Sequence, residues 1–398
     1  MSDVIYFDNN ATTRIAPRVY EAMAPYLTEL YGNPSSIHSF GSRVGRALDR
    51  ARTQVAGLLG AGDEVEVMFT SCGSEGDNTA IRGILDGAPE KRHFVTTAVE
   101  HPAVLGLGQH LEKKGYRVTW LGVDEDGMLD LDELRDSLSD DTAMVSIMYA
   151  NNETGVVLPV HEAGEIVKAR GIPFHVDAVQ VPGKIELDVK NSPIDLLTVS
   201  AHKFHGPKGV GALYVRRGIT LRPFIVGGHQ ERNRRAGTEN VAGIVGMGEA
   251  AELTAGDIAG ENVQLTALRD QLESALVAAC PGARVNGAKA DRLPNTLNIA
   301  FEYLEGESIL VLLDEFGICA STGSACTAGS VEPSHVLRAM KVPPQWLQGA
   351  VRFSLSRYNT EAEIDFAAER IPGIIRRLQG LSALGRVGTK GSAPGQAS

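Results

Sequence analysis

Between Val65 and Val215, short β-branched and aromatic runs alternate with stretches whose apolar residues recur every three to four positions. The runs Val65–Phe69, Phe94–Val99, Val118–Val123, Ala143–Tyr149 and Pro173–Val176 read as strands, with helices at 74–87, 102–114, 130–138 and 160–170. This alternation predicts βαβ units and therefore an α/β fold with a mostly parallel sheet. A further run, Gly209 to Val215, follows the Asp195–Ser200 run through a Gly-Pro turn too short for a helical crossover, so it predicts an added antiparallel strand. Helices are expected at 241–255 and 262–279. After them the pattern changes to a strand at Thr296–Phe301, a helix at 307–316, a loop, and a strand at 350–355. That change marks a smaller α+β C-terminal domain beginning near residue 260.

A chain of 398 residues exceeds what one hydrophobic core usually serves, which agrees with a large domain and a smaller partner. At 43% hydrophobic and 22% charged residues the composition is that of an ordinary globular protein. A net charge of -11, with no Lys/Arg-rich run to offset it locally, argues against nucleic-acid binding. No basic stretch followed by a long apolar one opens the chain, and no uninterrupted apolar run of about 18 residues occurs, so a cytoplasmic protein without membrane contact is expected. Cys72, Cys280, Cys319 and Cys326 are too few for a disulfide framework and form no C-x-x-C pair, which favours reduced thiols. Residues 383–398, rich in Gly, Ser, Pro and Ala without an apolar period, are expected to be a disordered tail.

The candidate chemistry gathers where strands end. Lys203 follows the Asp195–Ser200 run inside Ser200-Ala-His-Lys203-Phe-His-Gly, where a Schiff-base lysine belongs. Asp177 closes the run Ile172-Pro-Phe-His-Val-Asp177 and is the kind of carboxylate that pairs with the pyridinium nitrogen of pyridoxal phosphate (PLP). At Phe69-Thr-Ser-Cys-Gly73-Ser74 a strand breaks at glycine and a helix begins, with Ser74 as its expected cap and free N–H groups suited to a phosphate. By itself that signal is weak, and strand-end aspartates are often plain turn formers. His101, before Pro102, faces the same edge and could stack on a cofactor ring or move protons; alone it would more often be a core residue. The same holds for His202, and for Asn152 in Asn-Asn152-Glu-Thr-Gly. Cys326 lies in Ala320-Ser-Thr-Gly-Ser-Ala-Cys326-Thr-Ala-Gly-Ser330, whose small residues supply no core anchor and suit a travelling nucleophile, whereas Cys72, Cys280 and Cys319 read as structural. Arg352 interrupts a strand-like run with a guanidinium that fits an α-carboxylate; a surface ion pair is the alternative.

With these residues in view the chain resembles the PLP-dependent cysteine desulfurases, of the nitrogen-fixation-associated type. The likeness rests on Tyr6-Phe-Asp-Asn-Asn-Ala-Thr-Thr13, Gly32-Asn-Pro-Ser-Ser36, Glu100-His-Pro-Ala-Val104, Asn151-Asn-Glu-Thr-Gly155, Ser200-Ala-His-Lys203, Arg234-Arg-Ala-Gly-Thr238-Glu-Asn240, Ser324-Ala-Cys326 and Ser354-Leu-Ser-Arg-Tyr358. It covers nearly the whole chain except the tail. The resemblance implies a PLP-dependent transferase of fold type I with a seven-stranded sheet. It also implies a large domain at 16–258 and a small domain formed by 1–15 and 259–382, which carries the mobile cysteine loop. By motif match, Lys203 carries the cofactor, Asp177 meets its ring nitrogen, Gln180 and Asn152 address its oxygen side, and His101 stacks on it. Gly73, Ser74, Ser200 and His202 would hold the phosphate, with Thr238 reaching it from the second subunit of a homodimer. Arg352 and Asn10 would lie against the substrate. The implied reaction converts L-cysteine to L-alanine and a persulfide on Cys326, which would pass sulfur to an iron–sulfur scaffold protein and transiently touch the nascent cluster. The competing readings are an aminotransferase or selenocysteine lyase on the same fold, and a non-catalytic sulfur carrier. A zinc site from Cys319 and Cys326 lacks the usual ligand spacing.

Overall fold

The alternating runs assemble into one sheet. The computed structural model describes residues 4–322 and 333–381, so the loop around Cys326 and the 383–398 tail lie outside the described residues. In chain order the strands are β1 (Ile5–Tyr6), β2 (Val67–Thr70), β3 (His93–Thr97), β4 (Arg117–Leu121), β5 (Thr142–Met148), β6 (Phe174–Asp177), β7 (Leu196–Ser200), β8 (Gly211–Val215), β9 (Ala283–Val285), β10 (Thr296–Phe301), β11 (Ile318–Cys319) and β12 (Ala350–Ser354). Seven of them form the main sheet in the order β2-β8-β7-β6-β5-β3-β4. All its pairings are parallel except those of β8, which runs antiparallel to both β7 and β2.

That arrangement bears out the α/β reading, including the added antiparallel strand. The expected start of β2 at Val65 is two residues early. Asp63 and Glu66 form a reciprocal cap that winds Glu64–Glu66 into a single 3-10 turn before the strand begins.

The helices used below are α1 (Ser39–Leu59), α2 (Gly73–Leu85), α3 (Pro102–Lys113), α4 (Val241–Ala255), α5 (Ile258–Ala279) and α6 (Glu361–Leu381). Helices cover both faces of the main sheet, as a parallel sheet requires. On one face Ala80, Ile81, Ile84 and Leu85 of α2 join Val104, Leu107 and Leu111 of α3 over Met68, Phe94 and Leu213. On the other, Leu48, Ala51, Val55 and Leu59 of α1 and Ile244, Met247 and Ala251 of α4 share a cluster with Val145, Val176 and Val199. Fully buried side chains such as Phe174 and Leu197 each contribute roughly 1.5–3 kcal/mol through removal from water.

A third cluster is built from Leu268, Leu272 and Leu276 of α5, Ile299 and Phe353 of the antiparallel sheet β12-β10-β9, and Ile364, Ile371 and Ile375 of α6. Phe7, just past β1, packs into it, and β1 pairs in parallel with β11. Helix α5 starts four residues before the expected 262 because the Asp257 side chain accepts the Gly260 N–H at 3.0 Å and caps it there.

The sheet register positions the chemistry. Gly211 on β8 is opposite both Thr70 on β2 and Ser200 on β7, so the turns after those two strands lie side by side. A Cβ at Gly211 would come within 2.9 Å of Thr70 Oγ1, the Cys72 carbonyl carbon and the Val199 oxygen, so only glycine lets the three strands close there.

Candidate active site

A cavity of about 290 Å³ opens at the carboxyl ends of the parallel strands, where ligands of open α/β sheets bind. It is lined by Asn10, Gly73, Ser74, His101, Asn152, Asp177, Gln180, Ser200, His202, Lys203 and Arg352, eleven residues singled out from the sequence. Thr238 is exposed and does not line it, and Cys326 lies outside the described residues.

Lys203 sits in a 3-10 turn immediately after β7. Its Nζ donates to the Asn10 carbonyl at 2.5 Å and to the Ala11 carbonyl at 2.8 Å, so the N-terminal segment cradles the amine. That segment is itself pinned. Thr13 N donates to the His202 carbonyl at 2.8 Å, and the Gln180 amide donates to the Asn10 carbonyl at 3.0 Å. Asn10 is 1% exposed; its side-chain amide donates to Thr296 Oγ1 at 2.9 Å and to the Asn152 carbonyl at 3.2 Å.

Asp177 ends β6 and accepts the Val179 N–H at 2.9 Å. Burial pushes its carboxyl up to about 6, with the Val179 bond and the nearby Lys203 charge pulling the other way. Asp77, on α2, is buried beside it and is also raised, by burial and then by the Asp177 charge. One Asp77 oxygen has no hydrogen-bond partner and lies 3.7 Å from His175 Nε2.

The phosphate-type turn differs from the sequence reading in one respect. The helix begins at Gly73, with Cys72 as an extended N-cap that makes no side-chain cap bond, and Ser74 lies within the first turn. Glu75 takes the local backbone donor instead: it accepts the Ser71 N–H at 2.8 Å and is gripped by Arg235 at 2.9 and 3.2 Å. The N-terminus of α2 is therefore without a side-chain cap, and its first residues, Gly73 and Ser74, line the cavity. Cys72 itself lines the cavity, which corrects its reading as a structural thiol. Cys280, by contrast, is 2% exposed, with burial pushing its thiol up to about 11.

His101 is the N-cap of α3, its Nδ1 accepting the Ala103 N–H at 3.2 Å. Burial, then the Lys203 and His335 charges, depress it to about 4, so it is a neutral imidazole at pH 7. His202 is likewise depressed to about 4, mainly by burial. Behind His101, Glu100 is wholly buried and raised to about 8, its carboxyl accepting from Thr97 Oγ1 and Met148 N.

On the far wall Arg352 leaves β12 with its side chain 3% exposed. It donates to the Asn152 carbonyl at 2.9 Å and to Asp8 at 2.6 Å. Its ion pair is thus a buried one at the cavity wall rather than a surface pair. Among the described residues no group of three or more His, Cys, Asp or Glu side chains could hold a metal ion, and no helix is long and apolar enough to cross a membrane.

The donor set fits PLP. Ser200 Oγ and Gln180 Oε1 are buried without partners, and both residues line the cavity. Hydrogen-bonding atoms stranded in this way call for a polar ligand. A Cβ at Gly73 would fall 2.9 Å from Val179 Cγ2, so the glycine lets the helix start pack closely against Val179, which also lines the cavity. A lysine amine, a carboxylate raised by burial, and an uncapped helix start match the three ends of that cofactor: aldehyde, ring nitrogen and phosphate.

Fold and site together define a PLP-dependent enzyme. The chain belongs to the aminotransferase class-V family, whose model matches residues 5–366. It is 61% identical over 379 residues to a cysteine desulfurase of Trichormus azollae, covering 95% of this chain and 94% of that one. It is 54% identical over 382 residues to cysteine desulfurase NifS of Azotobacter vinelandii, covering 96% and 95% respectively. Among solved structures, a NifS-like protein superposes with a TM-score of 0.89 at 41% identity, covering 94% of this chain and 100% of its own.

Several residues that line the cavity or hold its lining residues escape the sequence reading. Asp77 stands four positions after Gly73, which puts both on one helix face, and that spacing is the available signal. Asp8 has none beyond its place in an Asp-Asn-Asn run, since its partner is 344 residues away.

Proposed function

We infer that the chain is a PLP-dependent cysteine desulfurase that converts L-cysteine to L-alanine and a persulfide on Cys326, supplying sulfur for iron–sulfur clusters, those of nitrogenase among them. The observation that carries this reading is the meeting of Lys203, Asp177, Ser200 and Arg352 on one cavity, in a chain closely similar to named cysteine desulfurases. When bound, the cofactor supplies an electron sink for the bond-breaking at the substrate's Cα and Cβ.

The chain's residues have separable tasks. Gly73, Ser74, Ser200 and His202 hold the phosphate, joined by Thr238 from the second subunit of a homodimer. Asp177 holds the ring nitrogen in its protonated form, Gln180 and Asn152 address the ring's oxygen side, and His101 faces the ring. Lys203 tethers the cofactor, then as the free amine takes the Cα proton. Arg352 and Asn10 orient the substrate, Arg352 by its α-carboxylate. A base, His101 or another group, takes the thiol proton and leaves Cys326 as the thiolate that attacks the substrate sulfur, although burial, by holding His101 at about 4, makes it a weak base in the cofactor-free chain. An S–S bond forms on Cys326 as the Cβ–S bond breaks.

A cytoplasmic setting, an iron–sulfur scaffold protein as acceptor, and transient contact of Cys326 with the nascent cluster complete the reading. Residues 16–258 form the cofactor domain, with 1–15 and 259–382 forming the smaller one. Two variants test the assignment. Lys203→Ala should lose the visible, borohydride-sensitive absorbance and all turnover. Cys326→Ala should keep that absorbance and lose sulfur transfer; sulfide release at the normal rate from Cys326→Ala would overturn the nucleophile's role.

A further inference from the structure

Arg352 is held from two directions. One terminal nitrogen donates to Asp8 at 2.6 Å and the other to the Asn152 carbonyl at 2.9 Å, which together fix the plane of the guanidinium. Asp8 is itself a fixed point. Phe7 N donates to the Cys319 carbonyl at 2.8 Å, Asn9 N to the Ser354 carbonyl at 3.1 Å, and Asp8 forms a parallel bridge with Ser354, two residues beyond Arg352. The arginine's own backbone is tied on its other side to Ser321, with N···O distances of 2.6 and 3.2 Å. A carboxylate mounted this rigidly cannot follow the guanidinium, so the guanidinium must conform to it.

What remains of Arg352 is suited to a ligand. Its Nε is buried and has no acceptor among the described residues, and the side chain lines the cavity. Asp8 and Asn152 occupy one hydrogen of each terminal nitrogen, which leaves the other hydrogens and Nε–H for a planar, two-oxygen acceptor.

We propose that Asp8 is the positioning residue for the substrate's α-carboxylate, acting through Arg352 and thereby setting the site's preference for free carboxylates over neutral analogues. The inference rests on the reading of Arg352 as the carboxylate site. Losing the hold on the guanidinium should cost carboxylate affinity about tenfold, the scale of one charge-assisted hydrogen bond put out of place. An amide in place of the carboxylate gains little from Arg352 and should be indifferent.

The test is equilibrium binding to the cofactor-loaded enzyme, read as the change in visible absorbance on titration with L-alanine and, separately, with L-alaninamide. Asp8→Ala should weaken alanine about tenfold and leave alaninamide unchanged, while Asp8→Asn, which keeps an oxygen in place, should restore alanine binding to within about threefold. If Asp8→Ala fails to load the cofactor, Asp8→Glu, which moves the oxygens by one methylene, should give the same selective loss. Equal weakening of both ligands, or of neither, overturns the inference. Arg352→Met separates the two levels. If Arg352→Met weakens alanine and alaninamide equally, or weakens neither, the carboxylate reading of Arg352 falls and this inference with it. If it weakens alanine selectively while the Asp8 variants do not, only the role of Asp8 falls.

Discussion

Asp177→Asn should make the cofactor-free protein more stable and the cofactor-loaded one less so. In the folded chain burial holds the Asp177 carboxyl near 6, against an ordinary aspartate value of 3.8. Between those two values the folded chain binds a proton that the unfolded chain has released, so stability falls as pH rises through that window. Above pH 6 the cost reaches about 3 kcal/mol, from roughly two pH units at 1.36 kcal/mol each. Asparagine keeps the shape and can still accept the Val179 N–H but never ionises, so its advantage should grow by about 1.5 kcal/mol between pH 5 and pH 8. On the proposed pairing of Asp177 with the ring nitrogen, adding PLP should reverse the order, because a protonated ring nitrogen would give the carboxylate a close counter-charge and give asparagine nothing comparable. Denaturant unfolding of both proteins, with and without PLP, at pH 5 and pH 8 measures all four quantities. A stability difference between the unsubstituted protein and Asp177→Asn that does not change with pH would refute the argument, as would equal stabilisation of both by PLP.

Two further outcomes follow from buried charge elsewhere. His175 is 0% exposed and burial depresses it to about 3, so it stays neutral in the folded chain while the unfolded chain takes up a proton below 6.5. Stability should therefore drop as pH falls from 6.5, by about 3 kcal/mol at pH 4 from this residue, and His175→Gln should flatten that acid limb in a pH series of unfolding curves. Glu231→Gln should cost about 3–5 kcal/mol in thermal unfolding, because it strands the buried Arg52 that now makes a two-point pair with Glu231.

The main sheet is legible in the sequence because its strands are buried on both faces. Runs such as Leu196–Ser200 and Thr142–Met148 are buried along their whole length and so stand out as apolar stretches interrupted only by Ser and Thr. The site follows from the sheet, since Asp177 and Ser200 end strands β6 and β7 and Lys203 lies in the turn that follows β7. The helices Ser39–Leu59 and Glu361–Leu381 are absent from the sequence reading although both have buried faces spaced for a helix, for example Val44, Leu48, Val55 and Leu59 in the first. The pairing of Ile5–Tyr6 with Ile318–Cys319 is not legible at all, because two residues carry no period. Cys72 differs from its reading for another reason. Its sequence neighbours suggest a helix start, but its place in the fold is fixed by Thr70 meeting Gly211 across the sheet, a contact over more than a hundred residues.

Distance along the chain also decides what makes the site a single device. The amine of Lys203 is cradled by carbonyls of Asn10 and Ala11, the guanidinium of Arg352 is aimed by Asp8, and both grips come from one stretch of four residues. That stretch is fastened to the main sheet through Thr13 and His202 and to the antiparallel sheet through Asn9 and Ser354. A shift of the N-terminal segment would therefore move the cofactor lysine's resting place and the carboxylate's anchor together. On the proposed assignment of Lys203 as base and Arg352 as carboxylate site, their separation would set where the substrate's Cα sits, and near-attack geometry of this kind is worth far more than any single contact within it.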